Sequence, residues 1–218
     1  MAPAQWVGLA NFTAIFHDPE FWLSLRNSVA FAAVVVPVTL VTGTCVGLLL
    51  NRLGPRMSVV VSTTTLLAWA TPTVAATVIF YLLFNPDGGV VDWGLAQLPG
   101  WLGGGAATWA GFNWMSSALP VYTVATLLLV WQGFPFIAVT VLAGLKTVPA
   151  ELHEAARVDG ATPWRAFWKI TYPLLKPIFL VLLLLSVIWD FGVFTQLYLL
   201  TGSGANLDEY NLGIYVYQ

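Results

Sequence analysis

The sequence predicts an all-α, polytopic membrane helical bundle, and three observations carry that prediction. Only 8% of the 218 residues are charged while 58% are hydrophobic, and the mean hydropathy is +0.80. A soluble domain carries about 25% charged residues, because a folded surface needs hydrating groups. Second, apolar runs of the length needed to cross a bilayer core, roughly 20 helical residues, recur four times. Third, the charges sit between those runs and are sorted by sign. The net charge of −2 gives no reason to expect nucleic-acid binding.

The first expected span covers residues 27–50, uncharged and rich in Val, Ala and Leu, and closes on the basic turn of Asn51, Arg52, Gly54, Pro55 and Arg56. The second, residues 57–84, ends at Asn85-Pro86-Asp87-Gly88-Gly89, a turn signal. Residues 88–116 carry Trp93, Trp101, Trp109 and Trp114 among many glycines and read as an interfacial loop, since Trp favours the membrane–water boundary. The third span covers about 117–145 and the fourth about 177–200, with the polar segment 146–176 between them. Before the first span, Trp6, Phe12, Phe16, Phe21 and Trp22 punctuate a polar lead-in around Asp18, Pro19 and Glu20. It has none of the basic-then-apolar pattern of a secretory signal. The tail, residues 201–218, reads as loop and then as more apolar, with Gly202-Ser203-Gly204 as a turn. The opening and the abrupt finish lead us to expect a shortened chain.

Orientation follows from the positive-inside bias. If the first span runs outside to inside, one side holds Arg52, Arg56, Lys146, Arg157, Arg165, Lys169 and Lys176, seven of the eight basic residues. The other holds Arg26 with Asp18, Glu20, Asp87, Asp92, Asp208 and Glu209. Residues 146–176 are therefore expected to be cytoplasmic. Pro37, Pro72, Pro120 and Pro135 fall in spans, where proline removes a backbone donor and kinks the helix. Kinked helices around a polar pathway are the expected use. Cys45, the single cysteine, sits in an apolar run and reads as packing.

The segment 146–176 is the most informative. Thr147 and Pro149 read as a helix start, with Glu151 and Glu154 facing the helix dipole. Gly160 can end that helix in a left-handed conformation. Thr162 and Pro163 then read as N-cap and first residue of a second helix, which Pro173 closes. The second helix places Trp164, Phe167, Trp168 and Thr171 on one face, and the first offers the small surface of Ala155 and Ala156. Two readings follow: an amphipathic helix on lipid headgroups, or a knob docking in another protein's groove with its aromatics as anchors.

Glu154-Ala155-Ala156, Gly160 and Ile170-Thr171-Tyr172-Pro173 resemble, at matching spacing, the EAA motif of ABC importer permease subunits. The run EAARVDGATPWRAFWKITYP is similar to the carbohydrate-type branch, the MalF and UgpA families, with Tyr172 where the pattern usually has leucine. The stretches VGLANF at 7–12, WQGFPFIAVTVLAGLKTVP at 131–149 and FTQLYLLTGSG at 194–204 agree, so the resemblance covers essentially the whole chain. It implies a bacterial or archaeal plasma-membrane protein with a six-helix core, of which four spans are visible. It implies as partners a second permease subunit, two ATPase subunits and an extracytoplasmic solute-binding protein. It implies that Glu154, Ala155, Ala156, Asp159, Gly160 and Pro173 form the ATPase-coupling segment. The cargo it implies is a disaccharide or short oligosaccharide, with glycerol-phosphate derivatives second because no span holds a basic residue for a phosphate.

No cofactor is expected in this chain; ATP and Mg²⁺ belong to the ATPases. The phosphate-loop pattern is missing, since Gly144-Leu145-Lys146-Thr147 lacks the Gly-Lys pair. His17 and His153 are isolated, so no metal site is expected. Asp190 is the one acid inside a span, and an ionisable group there is costly and usually functional. Fourteen residues past Lys176, at about 1.5 Å each, it lies roughly 21 Å up a core about 30 Å thick. Trp189, Phe191 and Phe194 flank it. A carboxylate beside aromatic faces suits a sugar, and Trp131 and Phe134 beside Pro135 are further cavity candidates; a structural pairing of Asp190 with a neighbouring helix is the alternative. An intramembrane enzyme would bring a second acid, a His or a metal set to Asp190. A secondary transporter would show several intramembrane charges and internal repeats. Neither pattern is present.

Overall fold

The structure, a computed structural model, describes residues 8–202 and 206–217; Trp6 and the Ser203-Gly204 part of the expected turn lie outside them. Among the described residues every regular element is helical. The lead-in is not loop. Helix α1 spans Ala10–His17, and the long α2, Pro19–Arg52, starts eight residues before the expected first span. Its start is built as helix starts are: Asp18 Oδ1 accepts the Glu20 N–H at 2.9 Å, Pro19 takes the first position and Glu20 faces the dipole. Charged residues in the first two turns hid that start from an apolar-run reading.

The expected second span is two helices, α3 (Pro55–Trp69) and α4 (Thr73–Leu83), bent by 88° at Pro72. Among the described residues three helices are long and apolar enough to cross a membrane, or up to four if the bent pair is one span. The expected interfacial loop carries α5 (Val90–Gln97), a 3-10 turn at Gly100–Leu102 and α6 (Ala106–Trp109). Helix α7 (Ala118–Leu145) and α8 (Ala150–Val158) follow. Helix α9 then runs unbroken from Pro163 to Phe191, so Pro173 does not close a short helix, as its place in the sequence suggested. Residues 167–171 form a π turn within it, and its backbone ends at Phe191 rather than near Leu200. Short helices α10 (Thr195–Leu200) and α11 (Leu212–Tyr217) complete the chain.

The chain divides into two compact units. The first draws on the residues up to Ala32, Thr77–Ala125 and the residues from Phe191 on. Its C-terminal segment is held by side chains on backbone: Asn27 Nδ2 donates to the carbonyls of Asp208 and Tyr210 at 3.0 and 2.9 Å, the Leu212 N–H donates to Ser28 Oγ at 2.8 Å, and Asn211 Nδ2 donates to the Val193 carbonyl. The tail that read as loop and then as more apolar buries Glu209, Tyr210, Asn211 and Ile214. In the same unit the Trp114 indole donates to the buried Asp92 carboxylate at 2.5 Å and stacks on Trp109.

The second unit, Ala33–Ala76 and Thr126–Asp190, packs α2, α7 and α9 around Ile137, Val141, Leu145, Leu175 and Leu182. Close approach of α2 to α7 depends on Gly43 and Gly47, four residues apart. A Cβ on Gly43 would stand 2.6 Å from Ile137 Cβ, and one on Gly47 2.8 Å from the Ala138 carbonyl oxygen. This small-xxx-small spacing lets backbones touch where lipid gives no hydrophobic drive. On the outside, Leu49, Val59, Leu67, Leu184 and Ile188 are each at least 59% exposed, a surface for hydrocarbon rather than water.

Candidate functional site

Two groups of residues on the second unit are candidates for function, and the first is the segment between α7 and the body of α9. Pro149 precedes α8, Glu151 lies in its first turn and Arg157 in its last. The helix ends as a Schellman motif: the Gly160 N–H bonds the Arg157 carbonyl at 3.0 Å and the Ala161 N–H bonds that of Ala156 at 2.8 Å. Gly160 has φ +72°, and a Cβ there would meet no other atom, so backbone conformation alone calls for glycine. Thr162 then caps α9, its hydroxyl accepting the Arg165 N–H at 3.3 Å, with Pro163 at the first position. Both signals stand where the sequence puts them.

Of the residues named for coupling, Glu154, Ala155, Asp159, Gly160 and Pro173 are exposed, while Ala156 is buried. Ala156 therefore seats α8 on the protein, and the others face outward. Beyond the bend, Trp164, Phe167, Trp168 and Tyr172 run ring to ring, with Trp164–Trp168 at 5.6 Å and Trp168–Tyr172 at 5.1 Å. Trp164 stands 71% exposed at the tip. The π turn at 167–171 gives Pro173 its place: the Tyr172 N–H reaches back five residues to the Phe167 carbonyl, so the ladder has already shifted before the residue that cannot donate.

The second group surrounds the bend at Pro72. The Trp69 ring stacks on Phe136 at 5.6 Å, and Phe136 meets Trp189 edge-on at 5.6 Å, making one aromatic row from α3, α7 and α9. Gln132 Nε2 donates to the Thr71 carbonyl at 2.9 Å, an acceptor the bend removes from the helix ladder. Asp190 follows Trp189, is half-buried, and has no hydrogen-bond or ion-pair partner among the described residues. A carboxylate with free lone pairs beside exposed ring faces can accept hydroxyl protons and stack on apolar ring surfaces.

The sequence-named set is only partly gathered here. Trp189, Asp190, Trp131 and Phe134 belong to the second unit, whereas Phe191 and Phe194 belong to the first, where Phe194 packs on Tyr198 and Tyr217. On α7 the ring that meets Trp189 is Phe136, not Phe134; two residues are 200° of helical turn, so the two rings face opposite ways. Sequence reading missed Phe136, Trp69 and Gln132. Trp69 had a signal: a Trp far from the boundary belts, two residues before the Thr71-Pro72 step. Among the described residues no group of three or more His, Cys, Asp or Glu is arranged to hold a metal ion.

Comparison with known proteins places this architecture. The chain belongs to the family of binding-protein-dependent transport system inner membrane components, matched over residues 40–216. It is 39% identical over 213 residues to the diacetylchitobiose uptake system permease protein DasB of Streptomyces coelicolor, covering 98% of this chain and 63% of the relative. It is 34% identical to the trehalose/maltose transport system permease protein MalF of Thermococcus litoralis, covering 96% and 71%. It is 30% identical to the sn-glycerol-3-phosphate transport system permease protein UgpA of Yersinia enterocolitica, covering 92% and 65%. The chain thus spans about two thirds of these relatives' length. Its fold is similar to that in the crystal structure of a bacterial ABC transporter that imports the acidic polysaccharide alginate, with TM-score 0.80, 20% identity, and coverage of 97% of this chain and 72% of that one.

Proposed function

We propose that this chain is the transmembrane permease subunit of an ATP-driven importer that moves a disaccharide or short oligosaccharide across a bacterial or archaeal plasma membrane. The observation that carries the reading is the 39% identity to a diacetylchitobiose permease along 98% of the chain. The four apolar segments belong to a six-helix core, with 146–176 on the cytoplasmic side. There α8 and the start of α9 dock on one of two partner ATPases, which hold ATP and Mg²⁺ and carry out the hydrolysis. Glu154 and Asp159 supply charged contacts, Ala155 permits close approach, Ala156 anchors the helix, Gly160 sets the bend, and Pro173 with its π turn keeps α9 continuous into the membrane. Continuity supports this role, because a push at Trp164 is delivered along a single rod to Asp190.

A second, homologous permease and an extracytoplasmic solute-binding protein complete the assembly. Asp190 with Trp189, backed by Phe136 and Trp69, lines the cargo path; Trp131, Phe134, Phe191 and Phe194 stand as weaker contacts. Glycerol-phosphate derivatives are the alternative cargo, favoured by the 30% identity to UgpA. Family membership argues against the intramembrane enzyme and the secondary transporter. The test is uptake by the purified assembly in proteoliposomes. We expect ATP-dependent accumulation of labelled diacetylchitobiose, maltose or trehalose that Asp190→Asn weakens. Uptake of glycerol 3-phosphate but none of these sugars would overturn the sugar reading, and unchanged sugar affinity in Asp190→Asn would give Asp190 a structural role.

A further inference from the structure

A groove of about 1000 Å³ opens on the second unit between the C-terminal half of α2, α8 and the first turns of α9. Its walls differ along its length. Val41, Cys45 and Leu48, at i, i+4 and i+7 of α2, make one apolar side, and Phe179 faces the same space from α9. Val41 is 62% exposed, and Cys45, which read as packing, is exposed too. The charges in the lining are Arg52, beside Asn51 at the end of α2, and Arg157 with His153 on α8, against one acid, Glu154; the aromatic rings of Trp164, Phe167 and Trp168 at the start of α9 line the same space.

We propose that this groove holds one anionic phospholipid, its phosphate bound by Arg52 and Arg157 and its acyl chains laid along Val41, Cys45, Leu48 and Phe179. The size suits a headgroup and the upper part of its chains, since small-molecule sites fill about 300–1000 Å³. Along α2 the lining passes from apolar Val41, Cys45 and Leu48 to polar Asn51 and Arg52, the order in which a lipid passes from chain to headgroup. Its apolar part belongs to a helix long and apolar enough to cross a membrane, and its basic part lies where that helix ends. A free phosphate would leave the Val41–Leu48 wall wet, and an apolar protein helix would bury two arginines opposite a single carboxylate, at high desolvation cost. Glu154 does not cancel the site: its single charge leaves a formal excess of one positive charge before His153 is counted. The inference rests on reading the end of α2 as cytoplasmic, not on coupling to an ATPase.

Native mass spectrometry of the complete detergent-purified assembly, titrated with phosphatidylglycerol or phosphatidylcholine, tests it. A basic residue near an anionic lipid surface contributes roughly fivefold in affinity, so with Glu154 offsetting one arginine the preference is about fivefold. We expect that preference for phosphatidylglycerol, lost in the Arg52→Gln, Arg157→Gln double variant and kept in Arg56→Gln, Lys146→Gln, which removes equal charge outside the groove lining. Val41→Trp, which fills the apolar wall and keeps both arginines, should also release the lipid and covers the case in which the double variant fails to fold. Equal retention of the two lipids, or retention unchanged in both groove variants, would overturn the proposal. So would displacement by inorganic phosphate, which would mark a phosphate site, or Cys45–Cys45 cross-linking under oxidation, which would mark a second copy of the chain in the groove.

Discussion

Pro72 and Pro173 are both preceded by runs that read as helix, and the chain treats them in opposite ways. At Pro72 the helix breaks and turns by 88°. At Pro173 it continues for another 18 residues, to Phe191. The difference lies in who satisfies the backbone. Before Pro173, the π turn at 167–171 lets the Tyr172 N–H bond the Phe167 carbonyl, so the missing donor falls into a ladder already reset. At Pro72 the Thr71 carbonyl leaves the ladder and is taken instead by Gln132 of α7. At Pro72 the freed carbonyl is taken by a neighbouring helix and the chain bends, whereas at Pro173 a wider turn precedes the proline and the helix runs on, as α2 and α7 also run on through Pro37 and Pro135.

Both regions lean on α7, so the largest effect should come from moving α7 off its neighbours. Gly47→Val would set a Cβ 2.8 Å from the Ala138 carbonyl oxygen. Overpacking commonly costs about 1–3 kcal/mol and more where backbone must move, so we expect little folded protein by size-exclusion chromatography; normal yield and Tm would show that α2 and α7 are not held as described. Next, Gln132→Leu leaves the Thr71 carbonyl unpaired, at a cost of about 1–3 kcal/mol. It should lower Tm clearly, and an unchanged Tm would mean that Pro72 alone sets the bend. Pro173→Ala should matter less, by under about 1 kcal/mol, because the π turn already supplies what the proline lacks. A large loss there would break the contrast.

The smallest effect concerns a third proline, Pro19, which starts a helix rather than interrupting one. The hydroxyl of Tyr215 donates to Asp18 at 2.7 Å and, with the Glu20 N–H, holds the Asp18 carboxyl below its ordinary value of 3.8. A depressed carboxyl contributes stability that is complete above that ordinary value and is lost as pH falls through the lower folded one. Hydrogen-exchange protection of residues 212–217 should therefore hold at pH 5 and decline below about pH 4, corrected for intrinsic exchange. In Asp18→Asn that decline should vanish; its persistence would assign the pH response to another group.

Much of this was legible because it rests on local backbone rules. Gly160 as a left-handed stop and Thr162-Pro163 as a cap and first position follow from residue type alone, and each stands in the structure. The start of α2 at Asp18-Pro19-Glu20 was equally local, but charge masked it. The bend at Pro72, the continuity at Pro173 and the Phe136–Trp189 contact were not legible in that way. Each depends on a residue 5 to 61 positions away, or on which face of α7 turns toward α9. Among the residues proposed for the cargo path, Asp190 stood out by cost alone, as the one acid in an apolar span, whereas its aromatic surroundings needed three helices to be in place.

In the proposed importer, α8 and the start of α9 would transmit ATP hydrolysis to the spans. The most direct test is transport-coupled ATPase activity of the reconstituted assembly carrying Glu154→Ala, beside Gly160→Pro. Interface hot spots cost about 2 kcal/mol or more, roughly thirtyfold, so we predict that both variants lose ATPase association or solute-stimulated hydrolysis by at least about that factor while the chain still inserts. Assembly and coupled hydrolysis unchanged in both would contradict the claim.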